Sequence, residues 1–333
     1  MNISISTKRI FLGLVLLFSA LLLASFKIGF AQDQNGSASG LQISPTRTEL
    51  NVKRGSSQNV SITLKNVTGG EIIAKPEIDD FVSDNNTGTP KIITDQSQKS
   101  PYTIKDFIST ISDIPMKSGE SKKLNIPVNV PADQPPGAYF GVIRFIAQPV
   151  SSGKDNNSGK QVTLTASLGH IVLVNVPGNV KEQLQLISFE AEKGGKSGSI
   201  FSSSPDSLAL GLKNTGNSFA KPFGTVTIKD FKGNEVYKYE VNNTDPRGNV
   251  LPDSTRIFHD SLKNIGSSPG RYSAVASISY GTGGDVLVSE IHFWVIPNWL
   301  RLLALLVVIL ILTAIFFVYK RLRGQEEKYK SRK

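Results

Sequence analysis

The stretch AYFGVIRFIA at residues 138–147 is rich in β-branched and aromatic residues, and the turn-forming pair Pro136-Gly137 precedes it. Both features predict a strand that begins just after the turn. Further out, VSITLK at 60–65 and LNIPVNV at 124–130 alternate apolar and polar residues, and VTLTASLGHIVLVNV at 162–176 is another β-rich run. Strands at this spacing, with Gly, Pro and Asn between them, predict an antiparallel sandwich.

A second β-rich block follows Pro177-Gly178-Asn179, which we interpret as a domain boundary. Seven strands are predicted in it: LQLISF at 184–189, SLALGL at 207–212, GTVTIK at 224–229, EVYKYEV at 235–241, TRIFH at 255–259, GRYSAVASISY at 270–280 and VLVSEIHFWV at 286–295. The fold class predicted for the chain is therefore all-β, with two tandem immunoglobulin-like sandwiches at 41–178 and 183–297.

The two blocks share local patterns. Asn66-Val67-Thr68-Gly69 and Asn214-Thr215-Gly216-Asn217 each follow an early strand, and Pro-Gly precedes a strand that carries Tyr139 or Tyr272 near its start. We predict that each Pro-Gly pair sets a turn and that each tyrosine packs at a corner of its sandwich. Common architecture explains these shared patterns better than internal duplication does, because any two β-sandwiches share such turns.

Residues 79–115 are predicted to be an insertion in the first sandwich. Within it, Ile104, Phe107, Ile108 and Ile111 fall at helical spacing, which favours a short helix.

An apolar run at 10–24 follows Lys8 and Arg9 and is short for crossing a bilayer. Small residues precede position 32, so residues 1–31 are predicted to be a signal peptide cleaved between Ala31 and Gln32, with an uncleaved anchor as the alternative. The polar residues 32–40 that follow predict a flexible leader.

A second apolar run at 302–319 contains no charged residue and predicts a transmembrane helix. Seven basic residues follow it within 320–333, whereas one precedes it, so the positive-inside rule places this tail in the cytoplasm and the bulk of the chain outside. We expect a single-pass protein of the cytoplasmic membrane, exposed at the cell surface. The residues predicted to anchor it are Trp299, Arg301, Tyr319, Lys320, Arg321 and Arg323.

Composition excludes several classes of function. The formal charge is +10, but residues 32–300 carry 26 bases and 25 acids, which is atypical of a nucleic-acid-binding domain. The chain has no cysteine, so it has neither disulfides nor cysteine-ligated metal sites, and it has three histidines far apart in sequence. Nucleotide-binding, zinc-protease and serine-hydrolase motifs are missing. We therefore predict a protein that is not an enzyme and has no cofactor or metal.

The insertion offers candidate ligand-binding side chains, because aromatic faces and carboxylates are typical of shallow glycan-binding grooves. These candidates are Asp79, Asp80, Phe81, Tyr102 and Phe107. Two alternatives are open: Phe81 and Phe107 could be core residues, and Asp79 and Asp80, together with Asp84, Asn85 and Asn86, could be solvated loop residues or calcium ligands.

Several segments resemble the peptidoglycan-binding N-terminal domain of the WxL-interacting proteins: ISPT at 43–46 with Gly55, SPYTIKDFI at 100–108, MKSGESKKLNIPVNV at 116–130 and PADQPPGAYFGVIRF at 131–145. That family resembles this chain in its order of parts, from signal peptide through two sandwiches to one C-terminal membrane span. The resemblance implies that the first sandwich binds peptidoglycan and the second a protein.

Together these features predict a membrane-anchored, extracytoplasmic binding or adhesion protein, whose partner is a cell-wall polymer or a surface protein. The membrane lipid is a further partner, through the C-terminal span, and nucleic acid is not. The alternative is a structural or chaperone-like scaffold that holds a secreted subunit by β-strand addition to an exposed sheet edge.

Overall fold

The structure, a computed structural model, describes residues 40–150 and 167–330 apart from 264, 266 and 267, without the side chains of 320–330. The predicted signal peptide, its cleavage site at Ala31 and Gln32, and nearly all of the leader lie outside these residues. Strands dominate the described chain, which confirms the predicted all-β class with two sandwiches and one apolar C-terminal helix.

The first sandwich contains nine strands, and we number them in chain order: β1 (Leu41–Ser44), β2 (Arg47–Asn51), β3 (Ser57–Asn66), β4 (Ile72–Ser83), β5 (Pro90–Ile93), β6 (Ile114–Met116), β7 (Ser121–Asn129), β8 (Gly137–Pro149) and β9 (Ser167–Val176). One sheet has the order β1-β3-β7 and the other β2-β9-β8-β4-β5, with β6 also paired to β4. The alternation in β3 sets its inner face, since Val60, Ile62 and Leu64 are fully buried in the core between the sheets.

The second sandwich contains nine more strands: β10 (Leu184–Lys193), β11 (Lys196–Gly198), β12 (Ile200–Phe201), β13 (Ser207–Asn214), β14 (Phe223–Lys229), β15 (Glu235–Val241), β16 (Thr255–Ser261), β17 (Gly270–Tyr280) and β18 (Asp285–Val295). Its sheets have the orders β11-β10-β13-β16 and β12-β18-β17-β14-β15. Seven of these strands overlap the seven predicted ones, and β11 and β12 are short additions.

The shared asparagine and tyrosine patterns do the same work in both sandwiches. The side-chain amide of Asn66 donates to Gly70 O at 2.8 Å, and that of Asn214 donates to Ser218 O at 2.8 Å. The hydroxyl of Tyr139 donates to the carbonyl oxygen four residues earlier at 2.9 Å, and that of Tyr272 does so at 2.8 Å. The predicted tyrosine corners are confirmed.

The segment with helical spacing forms only one 3-10 turn, at Lys105–Phe107. Ile104, Phe107 and Ile108 are nevertheless buried and Ile111 is partly buried, because the segment folds over β8 and Ile104 packs against Gly141. A side chain at position 141 would lie 2.6 Å from Ile104, so glycine allows this close approach. A longer helix is not needed to bury these residues.

Helix α1 (Asn298–Lys330) contains a segment, Asn298–Tyr319, with a mean hydropathy of 3.1 and no burial against the described protein. At 1.5 Å per residue its 22 residues match the ~30 Å hydrocarbon core of a bilayer. Length and composition therefore allow this helix to cross a membrane. Trp299, Arg301 and Tyr319 lie exposed on it, and the backbone at Lys320, Arg321 and Arg323 continues the helix.

Candidate functional site

Asp79 and Asp80, two of the five predicted ligand residues, lie side by side on β4 and are fully buried. Asp79 accepts hydrogen bonds from Arg144 Nε at 2.7 Å and from Gln96 Nε2 at 2.6 Å. Asp80 accepts one from the Ser100 backbone at 2.9 Å and lies 3.7 Å from Lys105 Nζ. Their carboxylates neutralise basic groups inside the first sandwich and are not presented to a ligand.

Phe81 and Phe107 are also buried, each with about 2% of its surface exposed. Phe107 packs edge-on against Tyr139 with ring centroids 5.1 Å apart, and Phe81 packs against Phe140 at 4.9 Å. Both rings therefore have the core role that the sequence left open as an alternative. The shallow aromatic surface predicted for 79–115 is not formed by these two residues.

Tyr102 lies at the junction of the two sandwiches. Its ring stacks on Phe140 at 5.5 Å and its hydroxyl donates to Asp253 of the second sandwich. Burial, followed by the contact with the Asp253 carboxylate, raises the pKa of Tyr102 to about 12. The ring borders a cleft of about 240 Å³ between the sandwiches, which Leu251 and Pro252 also line.

An apolar cluster and hydrogen bonds hold the junction together. Phe140, Leu173 and Leu251 are buried in this cluster, which draws residues from both sandwiches. The loop after β4 also meets the edge of β16, where Ile257 N donates to Asn86 O at 2.6 Å and Thr255 N donates to the Asn85 side chain at 3.1 Å. The first sandwich thus covers part of a sheet edge of the second.

The described residues form no catalytic or metal constellation. His170 is buried against Pro45 O, His259 pairs with Glu192, and His292 lies 3.8 Å from Glu290. In this part of the chain no group of three or more His, Cys, Asp or Glu side chains could hold a metal ion. Asp84 turns its carboxylate onto its own loop, accepting from the backbone of Asn86, Thr87 and Gly88, so the calcium alternative has no converging ligands.

The two sandwiches cover the edges of their last strands unequally. In the first, β2 runs parallel to β9 and pairs with five of its residues. In the second, β12 runs parallel to β18 but pairs only with Trp294 and Val295. Within the described chain, no strand pairs with the outer edge of β18 over residues 285–293.

The backbone amide and carbonyl groups that point outward along this uncovered part of β18 belong to even-numbered residues. Trp294 N donates to Ser199 O and Ile296 N donates to Phe201 O, so even-numbered amides point away from β17. The pairing of β17 with β18 runs without a register shift, so the alternation extends back along the strand. The amide and carbonyl groups of Val286, Val288, Glu290 and His292 therefore face outward. We call the edge formed by residues 285–293 the open edge.

Burial along β18 follows the covering strand. Its core-facing residues next to β12, Phe293 and Val295, are 0% and 1% exposed. Further along the same face, Leu287 and Ile291 are only partly buried, although they pack against the same core. On the outer face Val286 and Val288 are 52% and 68% exposed. Along the open edge, apolar side chains are thus exposed on the outer face and partly exposed on the core face.

Another free edge, β7, is protected by its sequence. The hydrogen bonds of Glu120 and Val130 with the β3 side show that even-numbered residues of this strand face β3. Pro127 is therefore an outward position, and it has no amide to offer, while Lys123 is outward as well. Proline and lysine at an edge discourage pairing with another strand. The open edge of β18 has neither.

The sequence predicts strand addition in general terms but does not locate the open edge. One signal was present: VLV at 286–288 places apolar residues on both faces of a strand, which is unusual where one face meets water. How much of the strand stays uncovered depends on the two-residue length of β12. That length is set by the path of residues 194–204 and is not encoded in β18.

No family model and no curated protein matches this chain. Among solved structures it is similar to the class 5 fimbriae chaperone CfaA (TM-score 0.35, 11% identity, 78% of this chain and 100% of that one). It is also similar to the Escherichia coli chaperone DraB (0.33, 16%, 77% and 96%) and to Salmonella enterica SafA pilin in complex with the SafB chaperone (0.35, 10%, 77% and 96%). At scores this low the likenesses say nothing about what this chain binds.

Proposed function

We propose that this chain is a membrane-anchored, non-catalytic binding protein that holds an extended segment of a partner protein on the open edge of β18. The observation that carries the proposal is the loss of burial along β18 where β12 ends. An added strand would satisfy the outward amide and carbonyl groups and cover Leu287 and Ile291 at once. The proposal corresponds to the scaffold alternative predicted from sequence, and it assigns the strand addition to the edge of β18.

The position of the anchor supports a partner other than a second copy. Only Ile296 and Pro297 separate β18 from helix α1. Two copies that paired their open edges antiparallel would send their helices away from opposite ends of the shared pair, roughly 30 Å apart at ~3.4 Å per residue. Helices leaving in opposite directions do not enter one membrane from one side. A strand without its own anchor at that end avoids this conflict.

The proposal includes a topology in which helix α1 crosses the cytoplasmic membrane and both sandwiches lie outside. The charge distribution supports it, because seven bases follow the apolar segment and one precedes it. A cell-wall polymer as ligand, which the WxL-interacting resemblance implies, has less support from geometry, because four of the five predicted ligand side chains are buried.

Two substitutions at one outward position test the edge. Val288→Pro removes an amide that faces the open edge and leaves no β17 partner unpaired, whereas Val288→Thr keeps that amide and a β-branched shape. A photo-crosslinking residue in place of His292, in the full chain in its native envelope, reports what lies beside the strand. We expect peptide crosslinks in the parent and Val288→Thr chains and none in Val288→Pro.

Mass spectrometry of the crosslinked product identifies the neighbour. Peptides from another exported protein support the proposal. Crosslinks only to lipid or glycan, to a second copy of this chain, or equally strong peptide crosslinks in Val288→Pro contradict it. Circular dichroism of each purified variant checks that the sandwich still forms.

A further inference from the structure

The side chains around the open edge define the chemistry of the strand that it accepts. We infer that the bound strand is a segment of about nine residues, with apolar residues at alternate positions and a basic residue near its middle. This inference rests on the proposed function. The length follows from the geometry, because the uncovered edge spans residues 285–293 and β12 blocks further pairing at Trp294.

The alternation follows from the face that looks toward the core. Leu287 and Ile291 lie on that face, and both are partly exposed along the stretch where no described strand pairs with the open edge. An incoming strand continues the pleat of the sheet, so every second side chain falls beside this row. Apolar side chains at those positions remove the remaining surface of Leu287 and Ile291 from water. Polar ones would be buried without partners.

The basic residue follows from the outer face. Glu290 is half exposed, and its one ion-pair contact in the described chain is His292 at 3.8 Å. Its neighbour on β17 is Val275, which offers no charge. A lysine or arginine on the incoming strand would lie directly across from the carboxylate, where opposite charges attract. Val286 and Val288 on the same face favour β-branched residues elsewhere along the strand.

Three fluorescent nine-residue peptides serve as probes with the full chain in nanodiscs. The first has leucine at alternate positions, threonine between them and one central lysine. The second has the same composition with its leucines contiguous, and the third has a central glutamate in place of lysine. Because two leucines become buried in the alternating register, we expect the first to bind at least about tenfold more tightly than the second.

Charge exchange isolates the role of Glu290. We expect the lysine peptide to bind about two- to fivefold more tightly than the glutamate peptide, and Glu290→Lys to reverse that order. Lys238→Glu, on the distant edge strand of the same sheet, is the matched control and should leave the order unchanged. Equal affinity of all three peptides, or an order that Glu290→Lys does not alter, overturns the inferred chemistry.

Hydrogen exchange separates this failure from failure of the proposed function. If the peptides bind without preference but still protect the amides of Val288 and Glu290, the edge binds strands and only the inferred chemistry is wrong. If no peptide protects these amides, both the inference and the proposed function are wrong. If the peptides still bind the Val288→Pro chain, both the inference and the proposed function are also wrong.

Discussion

The last strands of the two sandwiches, β9 and β18, have the same place in the fold but different neighbours. Five residues of β2 cover β9, and Val172 and Val174 beneath them are fully buried. Two residues of β12 cover β18, and the burial of its core face fades where the cover ends. The comparison teaches that a short covering strand turns an ordinary sandwich edge into a surface that can accept another strand.

Elsewhere the two sandwiches share their stabilising devices but not their buried charges. Both use a buried asparagine and a tyrosine corner, whereas in the first Arg144 bridges the fully buried Asp79 and the partly exposed Glu77. Substitutions at these positions show which contributions to stability the two domains share and which belong to one domain. They include the loss of a buried charge partner and the titration of one carboxyl group.

The largest effect is expected from Arg144→Ala. It leaves the fully buried carboxylate of Asp79 without its cation, so the free energy of unfolding of the first sandwich should fall by about 3–5 kcal/mol. Hydrogen exchange of β8 peptides against denaturant measures the loss. Arg271→Ala removes an exposed arginine from the neighbouring domain and should change little. A fall below about 1 kcal/mol in Arg144→Ala would contradict the buried pair.

Asn66→Ala and Asn214→Ala test whether the shared turn contributes equally. Each amide donates to two or more backbone carbonyls, and each carboxamide oxygen accepts from the amide two residues later at 2.9 Å. Because both changes leave backbone carbonyl groups without a hydrogen-bond donor, each should lower the stability of its own sandwich by about 2 kcal/mol. Domain-resolved hydrogen exchange measures both. A large loss in one domain and none in the other would break the equivalence.

The tyrosine corners should contribute less. Tyr139→Phe and Tyr272→Phe each remove one hydrogen bond to a backbone carbonyl and keep the packed ring. We expect each sandwich to lose about 1 kcal/mol. Urea unfolding followed by circular dichroism, with Tyr237→Phe as a control, measures the effect. An increase in stability of either variant would show that the corner hydroxyl is not stabilising.

The last expected effect depends on pH, and it comes from Asp260 of the second sandwich. Burial raises its pKa to about 6, against a partial opposing effect of His259. The folded state therefore favours the protonated carboxyl, and the stability that it contributes at low pH is lost as the pH rises from about 4 through 6. Asp260→Asn should stabilise the protein relative to the parent near pH 7 and not near pH 4.

Melting temperatures of the parent and Asp260→Asn chains across that pH range give the comparison directly. His259→Gln serves as the control for the neighbouring charge. A difference between parent and variant that is constant with pH would show that the carboxyl does not titrate in this range.

Much of the fold could be predicted from sequence because its signals are local. Alternation set the inner face of β3, the Pro-Gly pairs preceded both tyrosine corners, and the charge-free run 302–319 marked the apolar helix. Asp79, Asp80 and Phe81 could not be placed this way. All three are buried in succession because the insertion and the second sandwich cover the face of β4 that would otherwise meet water.

The candidate site could not be located from sequence for a similar reason. Whether the amide of Val288 is paired depends on residues almost ninety positions earlier, at β12. Sequence patterns report which side chains face a core, but they do not report how far a distant strand extends along an edge. The one local hint was the pair of exposed valines at 286 and 288.

Residue-resolved hydrogen exchange along β18, in the purified full chain and again in native membranes, tests the central claim most directly. In the purified chain the amides of Val286, Val288, Glu290 and His292 should exchange fast, while those of Leu287, Ser289 and Ile291 stay slow. In native membranes the even-numbered amides should become as slow as the odd ones. Slow exchange of both sets in the purified chain, or fast exchange of the even set in membranes, would contradict an edge that exists to hold a partner strand.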